Sequence, residues 1–148
     1  MTEGRLVAIW GRQEWGGEMR SFPGGNLVTG KGLTEDVSFG SRRQVTIIEE
    51  EVWTSIMKEL ESDLPGSTRR ANLMIRGIRL RETKGKVLRI GDCRIEIVGE
   101  TKPCASMDEK LPGLKEALKP HWNGGVFGSV IDGGKIKVGD LVGWEISE

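Results

Sequence analysis

The apolar positions of this chain fall in short runs, many of them β-branched, separated by glycine and polar residues. Runs of that kind read as strands between tight turns. They place strands at Leu6–Trp10, Asn26–Thr29, Arg43–Ile48, Asn72–Ile78, Val87–Ile90, Cys93–Val98, Gly125–Ile131, Lys135–Val138 and Leu141–Ile146. Gly91-Asp92 is a hairpin signal between two of them. Gly133-Gly134 and Gly139-Asp140 mark further turns, and the glycine-rich stretch Gly11–Gly25 reads as a loop.

One segment departs from this rhythm. Val52, Trp53, Ile56, Met57 and Leu60 form a single apolar stripe at helical spacing. It predicts a helix near Glu49–Glu61, with Glu49, Glu50 and Glu51 at the positive end of its dipole and Pro65-Gly66 beyond its end. Thr46 and Glu49 also have capping-box spacing, which would start the helix earlier. The β-branched Ile47 and Ile48 favour a strand there instead. A short helix is expected at Gly113–Lys119, between Pro112 and Pro120. Lys86–Asp92 and Lys135–Asp140 echo one another, which suggests two similar hairpins. The pattern predicts one mainly β domain over residues 1–148. Its architecture is a closed or partly open, mostly antiparallel β-barrel with one long and one short helix.

Composition sharpens this picture. The chain has 148 residues, enough to bury a core without staples. Its 22 glycines are about twice the ~7% share of average proteins, as many turns and bulges require. Lys+Arg and Asp+Glu balance at 22 each, which makes nucleic acid an unlikely partner. The apolar run at Leu6–Trp10 is too short for a signal segment or a membrane span, so a cytoplasmic protein with no membrane partner is expected. Cys93 and Cys104 are the only cysteines; they could pair, but in a reducing compartment free thiols are the expectation.

Candidate chemistry begins at Cys104. It follows Thr101-Lys102-Pro103 at a strand exit, where Lys102 would favour the thiolate that attacks sulfur or binds a soft metal. An ordinary packing residue is the competing reading. Cys93 lies in an alternating strand with Ile95 and Ile97 on its own face, and reads as core. The pairs Arg42-Arg43 and Arg69-Arg70 each lead into a strand near hydroxyl residues, a combination suited to a phosphate or a polar heterocycle. Lys31 between Gly30 and Gly32 could add a backbone cradle. Solvated surface arginines are the plainer alternative for each pair. His121 is the only histidine, so no multi-histidine metal site can form.

The ordered series of motifs resembles the MOSC family, the molybdenum-cofactor sulfurase C-terminal domain. The series runs through Gly30-Lys-Gly-Leu33, Arg42-Arg-Gln-Val-Thr46, Arg69-Arg-Ala-Asn-Leu73, Ile90-Gly-Asp92 and Gly99-Glu-Thr-Lys-Pro-Cys104. It continues through Pro112-Gly-Leu114, Gly124-Gly-Val126 and Ile136-Lys-Val-Gly-Asp140. The resemblance implies a pyruvate-kinase-like β-barrel and a cysteine that binds molybdenum or carries sulfane sulfur. Cys104 takes that place, as catalytic residue and metal ligand. Arg70 and Asn72 match the segment that lies near the molybdenum cofactor (molybdopterin) in members that reduce N-hydroxylated compounds. Arg43, Lys31 and Lys102 complete the expected cofactor-binding set. A small-molecule substrate and an electron-donor or sulfur-donor protein would be the partners, because no flavin or iron–sulfur motif is present. A non-catalytic small barrel that binds protein or nucleic acid is the alternative from a different class. The expectation that separates them is geometric: Cys104 should be accessible and share one cleft with Arg43, Arg70 and Asn72.

Overall fold

The computed structural model describes residues 4–146. Eleven strands carry the chain: β1 Gly4–Gly11, β2 Arg20–Phe22, β3 Gly24–Val28, β4 Gly32–Leu33, β5 Val45–Glu49, β6 Leu73–Arg76, β7 Val87–Ile90, β8 Cys93–Glu100, β9 Val126–Asp132, β10 Gly134–Lys137 and β11 Leu141–Trp144. Three helices accompany them: α1 Glu50–Glu59, α2 Ser106–Lys110 and α3 Leu114–Leu118.

Seven strands close a barrel in the order β1, β11, β7, β8, β9, β5, β6 and back to β1. All neighbours run antiparallel except β5 and β6. Those two are joined by α1, as a parallel pair requires a crossover connection. β1 changes partners along its length, pairing with β11 at Gly4 and Arg5 and with β2 from Ile9 to Gly11. A separate three-stranded sheet forms from β10, β3 and β4.

Alternation sorts side chains into two apolar clusters. On β5, Ile47 points into the barrel while Ile48 points out toward the helices; on β6, Leu73 and Ile75 point in and Met74 points out. The barrel interior is filled by Leu, Ile and Val, together with Cys93. The outer cluster packs Trp53, Ile56 and Met57 of α1 and Leu114 and Leu118 of α3 against Trp10, Ile48 and Met74. Trp53 Nε1 donates to Leu64 O at 2.9 Å, so the indole is satisfied where it is buried.

Most predicted elements stand where the pattern put them, and Val87–Ile90 and the start at Cys93 coincide with β7 and β8. The Thr46–Glu49 capping box does not form. Thr46 lies in β5 and its hydroxyl bonds Asn72. Beyond any dipole effect, two of the three glutamates clamp a loop: Glu49 accepts from Leu80 N and Glu51 from Gly77 N. Burial raises the pKa of Glu49. Three expectations are corrected. The stretch Gly11–Gly25 holds β2 and the start of β3 as well as a loop. A third helix, α2, follows Cys104. The echoed motifs do not make two similar hairpins: β7 pairs with β8, but β10 leaves the barrel and pairs with β3. Similar sequence therefore serves two different pairings.

Candidate functional site

Four chain segments, with Gly124 of the loop before β9, meet at one mouth of the barrel and enclose a cleft of about 500 Å³. The first is the loop after β1, carrying Arg12 and Trp15. Next is the segment before β5, with Ser38, Ser41, Arg42 and Arg43. The third leads into β6 and gives Arg69, Arg70 and Asn72. The last is the exit of β8 into α2, with Thr101, Cys104, Ser106 and Met107. Among the described residues, no carboxylate lines this cleft, although five arginines do. In a chain of zero net charge, that is a local concentration of positive potential.

The two arginines of the Arg69-Arg70 pair are sent in different directions. A 3-10 turn at Gly66–Arg69 ends with Arg70 in the left-handed region at φ 67°. Arg69 is 8% exposed; its Nε donates to Gly124 O at 3.2 Å and its Nη2 to Thr101 O at 3.0 Å. It thereby ties the strand exit that carries Cys104 to the loop before β9. Gly124 is needed there, because a Cβ would stand 2.4 Å from Thr101 O. Arg70 swings the other way and donates from Nη2 to Gly17 O at 2.8 Å. Arg43 lies over the Phe127 ring, 5.3 Å from its centroid. Among the described residues, none of Arg42, Arg43, Arg69 and Arg70 pairs with a carboxylate.

Arg12 differs from these four. Asp36 grips it through both carboxylate oxygens, at 3.3 Å to Nε and 3.2 Å to Nη2, and also accepts Arg12 N at 2.7 Å. Ser38 donates to the same carboxylate from its backbone and its hydroxyl. Burial alone would raise the pKa of Asp36, but these bonds outweigh it and hold the carboxyl at about 2. Arg12 in turn lies over the Trp15 ring, 5.1 Å from its centroid.

Cys104 is exposed and free, and Cys93 is buried and free. The sulfur of Cys104 sits 2.8 Å from Ser106 Oγ. That hydroxyl and the Ser106 N–H pull the thiol pKa down, burial opposes them weakly, and the Arg69 charge adds to the lowering. For Cys93, burial pushes the pKa up, and Asp92 adds to the effect.

The structure thus brings Cys104, Arg43, Arg70 and Asn72 to one cleft and leaves Lys31 and Lys102 out of its lining. Lys31 is in the turn between β3 and β4, where its N–H closes on Val28 O. Lys102 is two residues before Cys104 but exposed to solvent, and Arg69 and Ser106 take the role its charge was expected to play. Asn72 is spoken for by the fold: its Oδ1 accepts from Thr46 N and Oγ1, and its Nδ2 donates to Trp10 O. It staples β5 and β6 to the end of β1 beneath the cleft. The sequence reading passed over Arg12, Trp15, Asp36 and Ser106. Only Ser106 had a local signal, a hydroxyl two residues beyond the cysteine.

The sequence profile of the MOSC domain matches residues 34–143, and the chain belongs to that family. No curated protein matches the sequence. Among solved structures, the YuaD protein of Bacillus subtilis superposes with a TM-score of 0.81 at 17% identity, covering 95% of this chain and 94% of that one. YiiM of Escherichia coli gives 0.72 at 17% identity, over 97% of this chain and 71% of that one. YiiM of Geobacillus stearothermophilus gives 0.75 at 12% identity, over 97% and 75%. These likenesses are of fold. Among the described residues, no helix is long and apolar enough to cross a membrane.

Proposed function

We propose that the cleft binds a molybdenum cofactor, with Cys104 as the protein sulfur ligand and the arginines as partners for the cofactor's anionic part. The observation that carries this reading is an accessible sulfur in a cleft lined by five arginines and, among the described residues, no carboxylate. The donor set fits the group. The described residues hold no cluster of three His, Cys, Asp or Glu, so a metal here would arrive with ligands of its own. A pterin dithiolene would bring such ligands, and Cys104 would be the residue that holds the metal to the protein through a soft thiolate. Thr101 Oγ1, in the cleft wall, is the buried side-chain atom left without a hydrogen-bond partner among the described residues. A site completed by a ligand is where such an atom is expected.

Each residue then has a task. Arg43 and Arg70 offer charge-assisted donors to a phosphate from separate segments. Arg69 fixes the strand exit so that Cys104 keeps its place. Ser106, 2.8 Å from the sulfur, favours its ligating thiolate form. Bound here, the cofactor would supply two-electron oxygen-atom chemistry, which suits reduction of N-hydroxylated compounds with electrons from a partner protein. The second reading is a persulfide carried on Cys104, favoured by its exposure and its Ser106 hydrogen bond. Metal analysis joined to a pterin fluorescence assay, on protein made in molybdate-fed cells, decides the matter. Molybdenum and pterin in equal amounts support the cofactor. Sulfane sulfur without metal selects the second reading, and neither would sink both.

A further inference from the structure

Trp15 is 66% exposed at the rim of the cleft, a large apolar face turned to water. Its position is heavily supported. The Asp36 carboxylate takes two bonds from Ser38 and three from Arg12, and Arg12 lies against the indole. The far end of the same loop is fastened by Arg70 to Gly17 O at 2.8 Å. A buried carboxylate with five donors is a costly way to hold an exposed tryptophan, unless the ring has work to do. The same network neutralises Arg12, which therefore serves as a prop for the indole, while Arg42, Arg43 and Arg70 remain for an anion.

We infer that Trp15 is a specificity residue, a pre-set platform on which a planar aromatic part of the substrate stacks at the cleft mouth. The inference rests on the cleft being a ligand site, as proposed above, and names the class of substrate that site selects. A planar π-system gains from offset stacking on an indole, and a saturated ring of the same outline does not. Ordering costs little, because the platform stands in place before the ligand arrives.

The test uses two uncharged probes, naphthamide and its fully saturated decalin analogue, which share the amide and carry no charge for the arginines to attract; a planar preference owed to arginine stacking would survive Trp15→Ala. Binding is followed through the indole N–H resonances, with the Trp15 signal assigned by its loss in Trp15→Phe. The wild-type protein should bind naphthamide about tenfold more tightly than the saturated amide, with the Trp15 resonance shifting most. Trp15→Ala should bring the two affinities within about twofold, while Trp15→Phe keeps most of the preference. Inorganic phosphate, titrated separately, reports the arginines alone and should bind Trp15→Ala as it binds the wild type. Equal binding of both amides by the wild type, or a preference that survives Trp15→Ala, overturns the inference. A planar preference seen in the wild type and lost in Trp15→Ala, with no phosphate binding by either, would support Trp15's role and count against the anionic-ligand reading instead.

Discussion

Cys93 and Cys104 belong to the same stretch of chain but to opposite kinds of surroundings. Cys93 begins β8 and faces the barrel interior, fully buried among leucines, isoleucines and valines. Cys104 lies just past the end of that strand, exposed, with a hydroxyl and a buried guanidinium close enough to favour its thiolate. Leaving the barrel wall changes what a sulfur can do. Inside, its size is what counts and its acidity is suppressed. At the mouth, packing hardly depends on it and its charge state is set by named donors. The protein therefore divides into a barrel that is chemically quiet and a rim that is electrostatically arranged, with Asn72 stapling one to the other.

The largest effect expected from this division is in thiol reactivity. Cys104 should label in the native protein at least roughly a thousandfold faster than Cys93, which needs the barrel to open. Stopped labelling with mass analysis reads both sites in one sample, and comparable rates would erase the distinction.

Stability divides along the same line. Leu73→Ala in the barrel should cost about 3 kcal/mol in denaturant unfolding. Cys104→Ser should stay within about 0.5 kcal/mol of the wild type, as an exposed site allows.

Asp36 supplies a third contrast, because it is a buried charge at the rim. Its folded pKa of about 2 lies below the ordinary 3.8, so its contribution is complete above the unfolded value and is lost as pH falls toward 2. About 2 kcal/mol of stability should disappear between pH 4 and 2, and Asp36→Asn should flatten that part of the curve. Unfolding midpoints measured across that range provide the check.

The smallest effects concern anion affinity. Arg70→Gln should weaken phosphate binding by about tenfold, the scale of one charge-assisted bond. Lys102→Gln should change it by less than about twofold, since Lys102 is outside the cleft lining. Calorimetric titration of the two variants side by side would expose a reversed order.

What the sequence disclosed follows physical range. The β7–β8 hairpin and the burial of Cys93 were legible because alternation and a Gly-Asp turn are local. The seven-strand closure was legible only as a class. Its order depends on pairings such as β1 with β11, far apart in the chain. At the site, the motif order pointed to Cys104, Arg43, Arg70 and Asn72. It gave no sign that Asn72 spends its side chain on the backbone of β1 and on Thr46. Lys102 was chosen for its nearness to Cys104 in sequence, but its side chain lies in solvent outside the cleft, and the charge that acts on the sulfur came from Arg69. Arg12, Trp15 and Asp36 left no trace because their contacts join two segments lacking any hydrophobic period.

The most direct test of the central claim sets wild type and Cys104→Ser side by side after expression with molybdate. Molybdenum and oxidised pterin are measured on each protein, with circular dichroism to confirm the fold. Molybdenum present in the wild type and lost in Cys104→Ser, with the fold intact, is the predicted result. Metal retained by Cys104→Ser, in the same amount as in the wild type, would contradict it.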